Sequence, residues 1–190
     1  MKLFDKFKKK ETFISITLQM NAKLQPFHRA DFEDMIENIL KEKQAGEIIG
    51  GGSLLMPTGE ISCCDIEFSI IENQVDSFIS FLNQITLIPN GSKILMKDSM
   101  MNIGKSEGLG LYLNGTDLPK EVYQNSDINE LIEQIDTALK GVAVRLSHWE
   151  GNSETALYYY GPSYETIKEK ILPITQNYPL CEKCRIEQIA

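Results

Sequence analysis

Hydrophobic and polar residues alternate along FISITLQM, residues 13–20, as is typical of a strand with one buried face. The next apolar residues recur at helical spacing: Phe32, Met35, Ile36, Ile39 and Leu40. They predict a helix that Asp31 caps and that ends before Gly46. A hairpin follows, with strands EIIGGGSLLM and ISCCDIEFSII around a turn at residues 57–60. A second helix between residues 75 and 85 and the strand SKILMK complete a βαββαβ order.

The second half of the chain repeats this order from residue 108. Its strands are GLGLYLN, VAVRLSHW, ETALYYY and CRIEQI, and its helices are DINELIEQIDTALK and YETIKEKILPITQ. Landmark residues match at offsets of about 90 to 95 positions. The matched pairs are Asn21 with Asn114, Pro26 with Pro119, Gly46 with Gly141, and Pro89 with Pro179. The sequence therefore predicts an internal duplication.

Each βαββαβ half predicts a ferredoxin-like fold, with an antiparallel sheet in the order 4-1-3-2 and both helices on one face. The expected fold class is α+β, with two tandem ferredoxin-like units. We expect a basic N-terminal tail at residues 1–10, a first unit at 11–97, a linker at 98–107 and a second unit at 108–190. Gly104, Ser106 and Gly108 make the linker suitable for a surface connection.

Composition and charge narrow the function classes. The 190 residues carry 19 basic and 27 acidic side chains, a net charge of −8. Five lysines and one aspartate lie in the first ten residues, so the remaining chain has 14 basic and 26 acidic side chains. This charge opposes binding to nucleic acid and anionic lipid. No run is long and apolar enough for a membrane span, and MKLFDKFKKK lacks the apolar stretch of a secretory signal, so we expect a cytoplasmic protein.

Three segments, NAKLQPFHR, LYLNGTDLP and NYPLCEKCRIEQ, resemble small acidic bacterial proteins of no established activity. The resemblance covers most of the chain. Some such proteins accompany secreted toxins as immunity factors, so the resemblance implies a toxin-neutralising role and transfers no site residues.

The candidate metal, redox and catalytic motifs are sparse. Cys181 and Cys184 form a single CxxC, which two-thiolate metal or redox chemistry could use, but a second CxxC and histidines at ligand spacing are missing. We therefore expect structural thiols, no metal and no cofactor. His28 and His148 are the chain's two histidines, and nothing matches a GxSxG, HExxH or P-loop motif, so the sequence names no catalytic residue. The run Gly50 to Gly52 lies on a strand and predicts a flat surface or bulge.

Alternation along the second unit's strands places large side chains on the helix-free face of its sheet. The predicted members of this aromatic face are Tyr112, Arg145, Trp149, Tyr158 and Tyr160. Tyrosine, tryptophan and arginine dominate protein interfaces, because they offer large, stiff contact area with polar ends. Either the first unit or an external partner is expected to cover this face.

These observations predict a non-enzymatic, protein-binding function. The leading hypothesis is occlusion of a protein partner, such as a basic toxin, by the aromatic face with help from acidic helix surfaces. The alternative is a small-molecule, amino-acid-like sensor that resembles duplicated ACT-type regulators. In that alternative, ligands bind between the paired units.

Overall fold

The computed structural model describes residues 11–190 of the chain. The basic tail predicted at residues 1–10 lies outside the described residues. Over the described range no helix combines the length and apolar character needed to cross a bilayer.

The first unit contains two helices and five strands. They are β1 (Phe13–Met20), α1 (Pro26–Lys43), β2 (Gly46–Leu55), β3 (Ile61–Ile71), α2 (Val75–Leu82), β4 (Ser92–Met96) and β5 (Ser99–Ile103). A single 3₁₀ turn, Glu72–Gln74, leads into α2.

The second unit contains three helices and four strands. They are β6 (Glu107–Asn114), α3 (Lys120–Asn125), α4 (Ile128–Ala138), β7 (Val144–Glu150), β8 (Glu154–Gly161), α5 (Tyr164–Thr175) and β9 (Arg185–Gln188). A 3₁₀ turn, Pro179–Cys181, precedes β9.

The strand order confirms the duplicated ferredoxin-like architecture. The first sheet is ordered β2-β3-β1-β4-β5 and the second β7-β8-β6-β9, and all named strand pairs are antiparallel. In each unit this is the predicted 4-1-3-2 order, with β5 added at the outer edge of the first sheet. The fold class is α+β.

The first helix of the first unit begins earlier than predicted, whereas the second unit's predicted helix is confirmed as α4 and is preceded by an unpredicted helix, α3. α1 begins at Pro26, five residues before Asp31, because a proline at the first helical position has no amide proton to leave unpaired. In the second unit the matching stretch is divided into α3 and α4. Asp127 caps α4 by accepting a hydrogen bond from the Asn129 amide at 2.8 Å, so the helix restarts there.

The predicted linker, residues 98–107, is largely a strand in the structure. β5 forms a hairpin with β4, in which Ser92 pairs with Ile103 and Met96 with Ser99. Gly104 ends this strand with a φ of +121°, and a Cβ there would lie 2.0 Å from the Pro89 carbonyl oxygen. Only glycine fits this close backbone approach. Sequence reasoning missed β5 because SMMNI has no clear alternation.

The glycine run of β2 forms the predicted bulge, between Ile48 and Gly50 in the pairing with β3. A Cβ on Gly51 would lie 2.6 Å from the Asp65 carbonyl oxygen, so the neighbouring strand approaches closely at this point.

Candidate functional site between the two units

The helix-free face of the second sheet is buried against the first unit. Tyr112, Tyr158 and Tyr160 are only 3%, 1% and 0% exposed. They share one apolar cluster with core residues of the first unit such as Met20, and Trp149 packs at its half-buried margin. The first unit therefore covers the aromatic face. In this arrangement these side chains are not open to an external partner.

Arg145 does not belong to the aromatic face, and its predicted placement is wrong. β7 has a bulge between Arg145 and Ser147 in its pairing with β8, which shifts the alternation by one position. Arg145 pairs opposite Tyr159, which belongs to the second unit's helix-covered core. Its guanidinium forms an ion pair with Asp136 of α4 at 3.2 Å.

A buried carboxylate of the first unit joins the two units. Glu60, in the loop before β3, is 7% exposed. Its Oε1 accepts hydrogen bonds from the Tyr112 hydroxyl at 2.8 Å and the Tyr158 hydroxyl at 2.6 Å. The Lys23 ammonium forms an ion pair with the same oxygen at 2.8 Å. Three donors from both units therefore converge on one oxygen.

The surroundings of Glu60 keep it charged. Burial alone would raise the pKa of this carboxyl, but hydrogen bonds from Lys23, Tyr158 and Tyr112 outweigh burial and lower it. Burial, together with the neighbouring carboxylate, raises the pKa of both tyrosines. The cluster thus holds a charged acceptor and neutral donors. Such a group suits a structural link better than proton transfer.

The main chain of Lys23 is also bound by the second unit. Its amide donates to the Tyr160 hydroxyl at 2.9 Å. Its carbonyl oxygen accepts a hydrogen bond from the Ser147 hydroxyl. The loop between β1 and α1 is therefore held by side chains of β7 and β8. The first unit makes these polar contacts through two loops, the one that holds Lys23 and the one that holds Glu60. The open face of its own sheet is not covered in the same way, because Ser15 and Glu67 on that face are exposed.

Arg185 extends the link from β9. Its guanidinium lies 3.6 Å from the centre of the Tyr112 ring and binds Glu154 through two hydrogen bonds, of 3.0 and 2.9 Å. This bidentate pair lowers the pKa of Glu154. Tyr112 is thus fixed from both sides, by Arg185 against its ring and by Glu60 at its hydroxyl.

The chain's two histidines meet where the units touch. The rings of His28, in the first turn of α1, and His148, on β7, lie 5.2 Å apart between centroids, and Phe27 packs against both. Burial lowers the pKa of His28; His148 and Arg145 lower it further, and Asp31 opposes them. Within residues 11–190, no three His, Cys, Asp or Glu side chains are grouped to hold a metal ion.

A cavity of about 350 Å³ opens beside the aromatic face. The first unit lines it with Thr86, Leu87 and Lys105, and the second unit with the start of β7, Tyr160 and the turn around Pro162. Most of the lining is apolar, with Lys105 as its charged side chain. Such a site can enclose an apolar group and pair an anion at its edge.

Sequence reasoning missed Lys23, Glu60 and the histidine pair, and it misplaced Arg145. One signal for Glu60 was available. The hydroxyls of tyrosines on a buried sheet face need hydrogen-bond acceptors, and Glu60 offers a carboxylate in the turn of the first unit's predicted hairpin. No signal in the sequence indicated which parts of the two units would contact each other.

No protein-family model and no curated protein matches the chain. Among solved structures, an unknown protein from Galdieria sulphuraria has 12% identity and a TM-score of 0.31, covering 93% of this chain and 98% of that one. The ligand-free regulatory subunit of aspartate kinase from Thermus thermophilus has 10% identity and a TM-score of 0.27, covering 87% of this chain and 93% of that one. Likenesses of this size carry no argument about function.

Proposed function

We propose that the chain is a non-enzymatic sensor that binds a small, amino-acid-like carboxylate in the cavity between its two units. The observation that supports the proposal is the cavity itself, about 350 Å³ in volume and lined by residues from both units. Ligand pockets commonly lie between domains and measure roughly 300 to 1,000 Å³. This one is at the small end of that range.

The chemistry of the lining favours an amphipathic anion. Leu87, Val142, Val144 and the Tyr160 ring offer an apolar surface to a hydrocarbon or aromatic side chain. Lys105 is exposed and forms no salt bridge within residues 11–190, so its ammonium is free to meet a carboxylate.

The position of the cavity connects binding to the arrangement of the units. A ligand that contacts Leu87 in one unit and Val144 in the other binds the closed arrangement more tightly than a separated one. It therefore shifts the population toward the closed form by the difference in its binding free energy. This differential affinity is what a sensor requires.

Calorimetric titration of the full chain with a panel of amino acids and 2-oxo acids tests the proposal. We expect binding to one class of apolar carboxylate. Lys105→Gln should weaken it roughly tenfold to a hundredfold, because a charge-assisted hydrogen bond contributes about 1.5–3 kcal/mol. Lys170→Gln, an exposed lysine on α5 that does not line the cavity, is the matched control. Absence of binding across the panel, or equal loss in both variants, would contradict the proposal.

A second candidate, binding of a basic protein such as a toxin, is favoured by the hairpin end of the first unit. Leu54, Leu55 and Met56 are 62%, 61% and 40% exposed. Three consecutive exposed apolar residues on an acidic chain suit a partner with an apolar contact and a basic rim. In this candidate the hairpin end, rather than the buried aromatic face, occludes the partner.

The double variant Leu54→Ser/Leu55→Ser separates the second candidate from the first. We expect it to lose any basic partner that the unmodified protein retains at low salt, with an unchanged melting temperature. Met100→Ser, another exposed apolar residue at 62% exposure, is the control. Equal retention of the partner by all three proteins would exclude the hairpin end as the contact surface.

A further inference from the structure

The two cysteines of the CxxC segment lie at the ends of one tight turn. The Cys184 amide donates to the Cys181 carbonyl oxygen at 3.0 Å. Between them Glu182 has φ −59° and ψ 129°, and Lys183 has φ +60°. These angles approximate a type II β-turn, in which the first and fourth Cα atoms lie less than about 7 Å apart. A disulfide needs Cα atoms about 4.4 to 6.8 Å apart, so this turn suits one.

The turn is fixed by its surroundings. Lys183 occupies a left-handed conformation, which is disfavoured for a residue other than glycine. It stays there with its ammonium donating to the Asp117 carbonyl oxygen at 2.9 Å. Leu180 and Cys181 are buried in the second unit's core, which anchors the start of the turn. The spacing of the two thiols is therefore set before any reaction.

The thiols also differ in reactivity. A hydrogen bond from the Cys181 thiol lowers the pKa of Cys184 to about 7, against the opposing effect of burial. The same hydrogen bond, and then burial, raise the pKa of Cys181. Burial raises the pKa of Cys63, and that of Cys64 to about 12. Cys184 is half-buried, so a reagent can reach the most acidic thiol of the chain.

We infer that Cys181 and Cys184 form a dithiol site that exchanges with low-molecular-mass disulfides of the glutathione class. The Cys184 thiolate attacks one sulfur of the disulfide, forms a mixed disulfide and releases one thiolate. Cys181 then loses its proton and attacks the Cys184 sulfur, which closes the protein disulfide and releases the second thiolate. Two electrons pass from the protein to the small disulfide. An attacking thiol with a pKa near ambient pH is the most effective.

The site is independent of the proposed carboxylate cavity. Cys181 and Cys184 do not line that cavity, and Cys181 belongs to the core on the helix side of the second sheet. The proposed reactive pair differs from the expectation that the thiols at these two positions are purely structural.

The first test is the intact mass of the full chain after incubation with oxidised glutathione at pH 7. We expect a loss of two hydrogens without an adduct, and a peptide that links Cys181 to Cys184. Cys63→Ser, which removes a half-buried thiol of the first unit, should behave like the unmodified protein. A chain that remains fully reduced, or that gains only a glutathione adduct on Cys63, would overturn the inference.

The second test is the pH dependence of alkylation by iodoacetamide. The rate at Cys184 should be half-maximal near pH 7. Cys181→Ala removes the hydrogen-bond donor and should move the midpoint toward about 8.5, the ordinary thiol value. This variant should also trap glutathione on Cys184 as a mixed disulfide. An unchanged midpoint in Cys181→Ala, confirmed as folded by its melting curve, would contradict the inference.

Discussion

Replacing Glu60 by glutamine tests the charged link between the units. The substitution keeps an acceptor oxygen for Tyr112 and Tyr158 but leaves the Lys23 ammonium, whose side chain is 13% exposed, without its 2.8 Å partner. Breaking a buried ion pair costs about 3–5 kcal/mol. The retained tyrosine hydrogen bonds, and a 3.3 Å contact from the Lys23 ammonium to the Ile61 carbonyl oxygen, place the expected loss near the lower end, about 3 kcal/mol. For a chain of this size, that corresponds to a melting temperature lower by roughly 6–12 °C.

The loss should depend on pH in a defined direction. Because the folded-state pKa of Glu60 is lowered from its ordinary 4.5, its charged form contributes stability above pH 4.5. That contribution disappears as pH falls through the lowered folded value. The melting temperatures of the unmodified protein and Glu60→Gln should therefore differ most between pH 6 and 8 and converge in acid.

Thermal unfolding followed by circular dichroism measures both effects. Glu37→Gln is the matched control, because Glu37 pairs with Lys41 on the exposed face of α1. An exposed pair contributes about 0.3–0.5 kcal/mol, so this variant should melt close to the unmodified protein. A Glu60→Gln melting temperature within about 1 °C of the unmodified protein at pH 7 would refute the link.

Two further substitutions test the packing around the link. Trp149→Ala should lower stability by about 1–3 kcal/mol, less than for a fully buried tryptophan, because Trp149 is half-buried in the apolar cluster between the units. Phe27→Ala is the control, because the Phe27 side chain is 62% exposed, and it should lower the free energy of unfolding clearly less in the same chemical denaturation series. Equal losses of stability in the two variants would argue against the packing of Trp149 between the units. Gly104→Ala should cost more than about 2 kcal/mol or prevent folding, because its Cβ would meet the Pro89 carbonyl. Gly59→Ala is the control, because Gly59 also has a positive φ but its Cβ would meet open space, so this variant measures the backbone cost alone. Equal melting temperatures for Gly104→Ala and Gly59→Ala would exclude the clash with Pro89.

The fold could be predicted from the sequence because the same order of strand and helix patterns occurs in both halves of the chain, so each half supports the assignment of the other. β1 has the predicted bounds, Phe13–Met20, since a clean period of two specifies both the strand and its buried face. The order of strands in each sheet followed from the βαββαβ connectivity. The start of α1 was missed although a proline at the first helical position, Pro26, is a helix-start signal. Strand β5 was missed because SMMNI has no clear alternation.

The candidate site was predictable only in part. The alternation correctly placed Tyr112, Tyr158 and Tyr160 on one face, but a bulge in β7 moved Arg145 to the other. Bulges break the period of two without a distinctive residue, so alternation alone cannot locate them. The partner of the aromatic face depends on how two folded units dock. That docking depends on tertiary contacts. Glu60 and Lys23, which form these contacts, belong to no periodic pattern in the sequence that would have revealed them.

Amide hydrogen exchange at Lys23 tests the closure of the two units most directly. This amide lies between β1 and α1, and its hydrogen bond goes to the Tyr160 hydroxyl of the other unit. We predict slow exchange in the unmodified protein, and exchange faster by at least about a hundredfold in Tyr160→Phe, with the amides of β1 and β8 still protected. Free exchange of the Lys23 amide in the unmodified protein, beside protected strand amides in both units, would contradict the closed arrangement.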